Sequence, residues 1–142
     1  MDLYFSPLAC SLATRIAFYE AGEDATYLEV DPKTKRVQND SSDFRNVNPL
    51  GLVPTLRTDE GQVLTENAAI LQYVADQKPD SKLVPKAGTI ERYRVLEWLN
   101  FITSEIHKTF SPLFNPAADA SVKAYTTAGT RTVRMPVSSL IS

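Results

Sequence analysis

Val53-Pro54-Thr55-Leu56-Arg57, then an acidic turn at Asp59-Glu60-Gly61, then Val63-Leu64: this stretch decides the fold. Two short runs of strand-forming residues around a glycine-containing turn predict a β-hairpin with a short second strand. Downstream, Thr65-Glu66-Asn67 precedes residues 68–78, where Ala69, Ile70, Tyr73 and Val74 mark a helix that Pro79 stops. Upstream, residues 33–49 are polar and end in Asn48-Pro49, which predicts a long loop or a short irregular helix. Before them, Thr26-Tyr27-Leu28-Glu29-Val30 alternates like a half-buried strand and ends at the Asp31-Pro32 turn. Leu12, Ile16, Ala17 and Phe18 recur at helical spacing from Ser11 to Ala21, with Gly22 where a left-handed cap would end the helix. Leu3-Tyr4-Phe5, closed by Ser6-Pro7, completes a β-α-β unit ahead of the hairpin.

That order describes an α/β thioredoxin-like N-terminal domain over residues 1–78, with Pro54 at the entry to the third strand. In such a domain the Val53-Pro54 bond is cis and presents the N–H and C=O of Val53 as an edge for a peptide; otherwise Pro54 is an ordinary trans edge-strand proline. Residues 79–89, with two prolines, one glycine and two lysines, read as a linker. Residues 90–109 then predict a long helix with Tyr93, Leu96, Leu99, Ile102 and Ile106 on one stripe, and Pro112 lies just beyond it. Residues 90–142 are expected to form an incomplete all-α C-terminal domain. Its tail is expected to be irregular from about Tyr125, because Thr126-Thr127-Ala128-Gly129-Thr130 has poor helix propensity and no clear period.

At 142 residues, the chain has room for one ordinary core, or a small domain and part of another. The hydrophobic share of 43% and charged share of 23% are those of a soluble globular protein rather than a disordered one. A net charge of −2 gives no footprint for nucleic acid or for an anionic membrane. Apolar runs are too short to span a bilayer, and Met1-Asp2-Leu3-Tyr4 does not begin like a signal peptide, so a cytoplasmic location is expected. The single cysteine excludes an intrachain disulfide, and with the single histidine it makes no thiolate-rich zinc site; no metal is expected.

Cys10 falls between the first strand and the first helix, where unpaired N–H groups and the helix dipole favour an anion and lower a thiol pKa. A buried structural cysteine is the competing reading. Without a second cysteine in Cys10-Ser11-Leu12-Ala13, dithiol exchange is excluded, which leaves a mixed disulfide with a small thiol or a hydrogen bond through sulfur. Glu66 and Asn67 open a helix: they either cap it or recognise an amino-acid head group, the backbone N–H taking a carboxylate and Glu66 an ammonium. Asn100, Thr103, His107 and Lys108 share a strip of the long helix; a solvated polar face accounts for Asn100 and Thr103, whereas His107 and Lys108, in the last turn, suit an anionic ligand.

Together, Leu3-Tyr4-Phe5-Ser6-Pro7-Leu8-Ala9-Cys10-Ser11-Leu12, Asn48-Pro49-Leu50-Gly51-Leu52-Val53-Pro54, Leu64-Thr65-Glu66 and Ile70-Leu71-Gln72-Tyr73-Val74-Ala75-Asp76 resemble the beta class of bacterial glutathione transferases. The likeness continues through Glu97-Trp98-Leu99-Asn100-Phe101-Ile102 to His107-Lys108 and Phe110-Ser111-Pro112-Leu113-Phe114, covering roughly residues 1–116. It implies a homodimer that conjugates glutathione, as co-substrate and with no tightly bound cofactor, to small hydrophobic electrophiles. By the resemblance, Val53 and Pro54 pair with the cysteinyl backbone of glutathione, while Glu66 and Asn67 hold its γ-glutamyl end. Cys10 faces its sulfur and forms a mixed disulfide with it, and Ser11 shares in stabilising the thiolate. His107 and Lys108 reach toward the sulfur and the glycine carboxylate, and Lys35 lies near that carboxylate. The family continues with further helices, so the resemblance also implies that this C-terminus is truncated or aberrant beyond about Lys123. Against the transferase stand two alternatives: a non-catalytic fragment binding glutathione or a partner chain, and a single-cysteine redox protein.

Overall fold

A computed structural model describes residues 1–132 and divides the chain into two compact units, Met1–Arg92 and the part from Tyr93 on. The first unit is built on a four-stranded mixed sheet in the order β2-β1-β3-β4. Strand β1 (Asp2–Phe5) leads through helix α1 (Ser11–Ala21) to β2 (Thr26–Glu29), which pairs with β1 in parallel, Leu3 opposite Tyr27. On its other side β1 pairs antiparallel with β3 (Thr55–Arg57), which turns at Gly61 into β4 (Val63–Leu64). Helix α2 (Asn67–Gln77) follows β4. The mixed sheet and its helices form the thioredoxin-like fold expected from the element order.

Alternation along β1 distributes the core to the two faces of the sheet. Leu3 and its register partner Leu56 are buried with Phe18, Ala21, Ile70 and Val74 under α1 and α2. Tyr4 points the other way, into a cluster with Val30, Val37 and Phe44. Phe44 opens a short 3₁₀ turn, Phe44–Asn46, capped by Asp43, so the polar segment 33–49 carries one buried aromatic anchor.

Helix α1 buries a different face from the one its apolar residues suggest. Ser11, Thr14, Phe18 and Ala21 face inward, while Leu12 and Ile16 remain 48% and 52% exposed. Polar Ser11 and Thr14 tolerate full burial because both hydroxyls are hydrogen-bonded. Gly22 ends the helix at φ 65°, its N–H bonded to the carbonyls of Phe18 and Tyr19.

Past α2, Pro79–Ser81 forms a 3₁₀ turn, and the segment to Arg92 belongs to the first unit. Arg92, 6% exposed, grips Asp76 with two bonds of 2.8 and 2.7 Å and donates to the Pro85 carbonyl at 3.1 Å. Helix α3 (Ile90–Phe101) begins with Thr89 accepting from the Arg92 N–H. The predicted long helix continues, but as a π-helical stretch, Ile102–His107, before α4 (Lys108–Phe110) and a 3₁₀ turn, Ser111–Phe114. On its stripe Leu96, Leu99 and Ile106 are half-buried, whereas Tyr93 and Ile102 are exposed.

The irregular tail expected from about Tyr125 is corrected as far as Thr132: α5 runs from Ala120 to Thr132. Asp119 caps it, accepting from the Ser121 N–H and hydroxyl at 2.8 Å each, and the helix packs on α4 and the turn that follows α4. A cap and tertiary packing outweigh the poor propensity of Thr126-Thr127-Ala128-Gly129-Thr130, a weak determinant by comparison. The remainder of that expectation, residues 133–142, lies outside the described residues.

Candidate functional site

Topology brings three chain segments to one end of the sheet. The C-terminal end of β1 leads to Cys10; β3 is antiparallel, so its N-terminal side, with Val53 and Pro54, lies at the same end; β4 is antiparallel to β3, so its exit into Glu66 and α2 returns there. Two side-chain bonds tie the segments together. The Cys10 thiol donates to the Val53 carbonyl at 3.4 Å, and Thr14 Oγ1 donates to Asn67 Oδ1 at 2.6 Å.

The turn carrying Cys10 is held by buried serines. Ser6 Oγ donates to the Val30 carbonyl at 2.6 Å, while Ser11 Oγ donates to the Ser6 carbonyl and accepts its N–H, both at 3.2 Å. Ser11 is therefore fully buried, and its hydroxyl is engaged in closing the β1–α1 turn. The side chain shapes the turn that presents Cys10, and the Ser11 backbone N–H is the group that faces the thiol.

Cys10 is half-buried and already helical, at φ −57° and ψ −20°. Burial pushes its thiol above the ordinary cysteine range; the N–H groups of Cys10 and Ser11 pull it down, and the Glu66 carboxylate pushes it up again. The expected lowering at the helix start is thus present but outweighed. At neutral pH Cys10 is an S–H donor, as its bond to Val53 requires.

The Val53-Pro54 bond is cis, as the sequence predicts. Among the described residues the Val53 N–H has no hydrogen-bond partner, and its carbonyl accepts only the Cys10 thiol. Val53 therefore offers a donor and an acceptor on one strand edge, which is what an extended peptide needs for pairing. Gly51, at φ 61° in the preceding loop, is covered by Lys35: a methyl built on Gly51 would lie 3.3 Å from Lys35 Cδ. Among the neighbouring cations at 33–36, it is thus Lys35 whose stem crosses the loop leading to Pro54.

Glu66 occupies φ 66° and ψ 115°, a conformation that side-chain-bearing residues rarely adopt, and its carbonyl accepts the N–H groups of Ala69 and Ile70. Its exposed carboxylate caps nothing, and among the described residues it has no hydrogen bond or ion pair. Strain of this kind persists where the surroundings impose it and concentrates at ligand sites. Asn67 spends its Oδ1 on Thr14, which leaves its Nδ2 as a donor beside the helix start.

The second unit carries the remaining predicted residues. Asn100 Nδ2 donates to the Leu96 carbonyl at 2.9 Å, and Thr103 Oγ1 to that of Leu99 at 2.8 Å; both are bonded to their own helix, as residues of a polar helix face are. His107 ends the π-helical stretch and Lys108 follows it, both exposed. Such stretches recur at functional sites, because the wider turn re-aims the side chains beyond it. Sequence reasoning missed Asn48 and Thr14 as contributors. Among the described residues, no group of three His, Cys, Asp or Glu side chains could hold a metal ion, and no helix is long and apolar enough to cross a membrane.

A cysteine at a helix start facing the residue before a cis proline, with a second helix start beside it, defines a thiol-handling domain of the thioredoxin-like class. Residues 9–77 match the family model described as glutathione S-transferase, N-terminal domain. The chain is 48% identical over 116 residues to glutathione S-transferase GstA of Escherichia coli O157:H7, covering 82% of this chain and 57% of that one. It superposes with a TM-score of 0.90 on a sphingomonad glutathione S-transferase complexed with glutathione, at 46% identity over 92% of this chain and 65% of that one. For the bacterial beta-class glutathione S-transferase of Sphingomonas chungbukensis the TM-score is 0.89, at 47% identity over 92% and 65%. Residues 9–77 thus form a glutathione S-transferase N-terminal domain, and the chain spans less than two thirds of the length of these relatives.

Proposed function

We propose that the chain binds glutathione in its first unit and promotes addition of the glutathione sulfur to small hydrophobic electrophiles. The observation that carries the reading is Cys10 bonded to the carbonyl of Val53, with the Val53 N–H and the Glu66 carboxylate at the same sheet end both without a partner among the described residues. The cysteinyl backbone of glutathione pairs with Val53 beside Pro54. Glu66 takes the γ-glutamyl ammonium, and the Asn67 backbone N–H with its side-chain donor takes the adjacent carboxylate. Lys35 serves the glycine carboxylate; His107 and Lys108, with Asn100 and Thr103, join the set only as what the resemblance implies.

Cys10 acts as a neutral donor. Its S–H turns from the Val53 carbonyl to the glutathione sulfur once the ligand backbone claims that carbonyl, and so stabilises the glutathione thiolate together with the N–H groups at the start of α1. The thiolate then attacks the electrophilic carbon, a C–S bond forms and the leaving group departs with its electron pair. This role is favoured over Cys10 as a free nucleophile by its raised pKa. By resemblance the protein works as a homodimer in the cytoplasm. The test pairs retention on glutathione resin, with elution by free glutathione, against conjugation of a chlorinated nitrobenzene. Both together support the reading; retention without conjugation reduces it to a glutathione-binding fragment, and no retention removes it.

A further inference from the structure

We propose that Asn48 is a positioning residue for glutathione: it fixes the backbone on both sides of Val53, so that the Val53 N–H and C=O face the ligand and the Cys10 thiol. The inference rests on the glutathione-binding reading above. Asn48 is 4% exposed, and every polar atom of its side chain is engaged. Its Nδ2 donates to the Leu52 carbonyl at 2.9 Å and to Thr55 Oγ1 at 3.0 Å, and its Oδ1 accepts from the Leu50 N–H at 3.1 Å. The Asn48 carbonyl accepts from the Gly51 N–H at 2.8 Å, and Thr55 Oγ1 donates in turn to the Leu52 carbonyl at 2.9 Å.

These bonds reach Leu50, Gly51 and Leu52 before Val53, and Thr55 after Pro54, leaving Val53 as the residue whose own polar atoms point elsewhere. Asn48 is itself anchored to the core, its N–H donating to the carbonyl of fully buried Phe44 at 3.0 Å. A core-to-loop relay of this kind transmits rigidity, because buried bonds in low dielectric are strong and their loss leaves groups unsatisfied. The chemistry selects asparagine: two donors and an acceptor on one short planar group, which aspartate, serine and leucine each fail to supply. Since Cys10 is bonded to the Val53 carbonyl, a displaced Val53 also changes the thiol, whose neutral form that bond favours.

The test measures three properties of the full chain in Asn48→Asp, Thr55→Val and Thr55→Ser: thermal stability, glutathione affinity by calorimetry, and the pH midpoint of Cys10 alkylation by iodoacetamide. Val74→Ala, a core truncation two turns from the α2 start, serves as a purely structural control. Asn48→Asp is expected to weaken glutathione about tenfold or more, while its new carboxylate opposes the lowering of the Cys10 midpoint that a displaced Val53 carbonyl produces. Thr55→Val, which adds no charge, should weaken glutathione by less and lower the Cys10 midpoint, while Thr55→Ser, which keeps the hydroxyl, stays near wild type. Val74→Ala should lose stability with both properties unchanged. If Asn48→Asp does not fold, Thr55→Val against Thr55→Ser decides. The proposal is overturned if the loop variants behave like Val74→Ala, losing stability alone. Failure of the wild type to bind glutathione would sink the functional reading, yet the Cys10 midpoint would still report whether Asn48 sets the Val53 carbonyl.

Discussion

Replacing Glu66 separates stability from binding in a way that a mere helix-start residue cannot. Its backbone sits at φ 66° and ψ 115°, and its side chain makes no capping bond. A sparsely populated conformation costs of order 1–3 kcal/mol in a residue with a side chain. Glycine avoids most of that and returns about 0.5–1 kcal/mol through its more flexible unfolded chain. Glu66→Gly is therefore expected to stabilise the first unit by about 1 kcal/mol, or roughly 4 °C in Tm. Glu66→Gln keeps the strain and should leave stability unchanged. Both remove the carboxylate proposed to receive the γ-glutamyl ammonium, at about 2 kcal/mol for a charged hydrogen bond, or about 30-fold in glutathione Kd. Urea unfolding and calorimetry on the same preparations provide the two axes. Loss of stability in Glu66→Gly would refute the reasoning, because it would mean that the side chain supports the fold; an unchanged Kd in both variants would show that the carboxylate does not meet the ligand.

Gly51→Ala places a methyl 3.3 Å from Lys35 Cδ at φ 61°, so unfolding should show a loss of about 1–2 kcal/mol from the left-handed backbone, and glutathione affinity should fall as Lys35 is pushed aside. Arg92→Met removes the paired donors on Asp76 and leaves the Pro85 carbonyl without its Arg92 partner; a loss of about 1–3 kcal/mol is expected in urea unfolding. The Arg92 bonds hold the Asp76 carboxyl below its ordinary range, so their contribution is fully present above about pH 4 and is lost as pH falls through the lowered value. Between pH 4 and pH 2 wild type should consequently lose more stability than Arg92→Met. For Cys10 the sign reverses: its raised pKa favours the protonated folded state, so stability falls as pH rises above about 8.5, and Cys10→Ala should flatten that alkaline limb.

Much of this architecture is legible from residues with local meaning. Gly22 at a left-handed cap, Gly61 in the hairpin turn and Pro79 past α2 fix where elements end, because each depends on backbone conformation at one position. Pro54 is legible only in combination, its cis bond implied by the β-α-β, hairpin and helix around it. What the sequence hides is burial and long-range bonding. Leu12 and Ile16 look like core and lie exposed, while Ser11 and Thr14 look like surface and lie buried, because the Ser11 hydroxyl bonds to Ser6 within the turn and that of Thr14 meets Asn67 across the fold. Helix α5 escaped notice because Asp119, its cap, lies outside the weak run that dominated the reading. The Cys10 position was legible but not the direction of its pKa, which depends on how much burial outweighs two N–H groups. Asn48 stood in the quoted motif, yet its reach to Leu52 and Thr55 exists only once the loop closes.

Titrating the isotope-labelled full chain with reduced glutathione, and following each backbone amide by NMR, tests the central claim directly. The account predicts saturable shifts led by the amides of Val53, Glu66 and Asn67, with Cys10 and Ser11 moving in step at a single dissociation constant, and with the β2 residues Thr26–Glu29 left unmoved. Saturable shifts confined to other surfaces, or no shifts at millimolar glutathione, would contradict it.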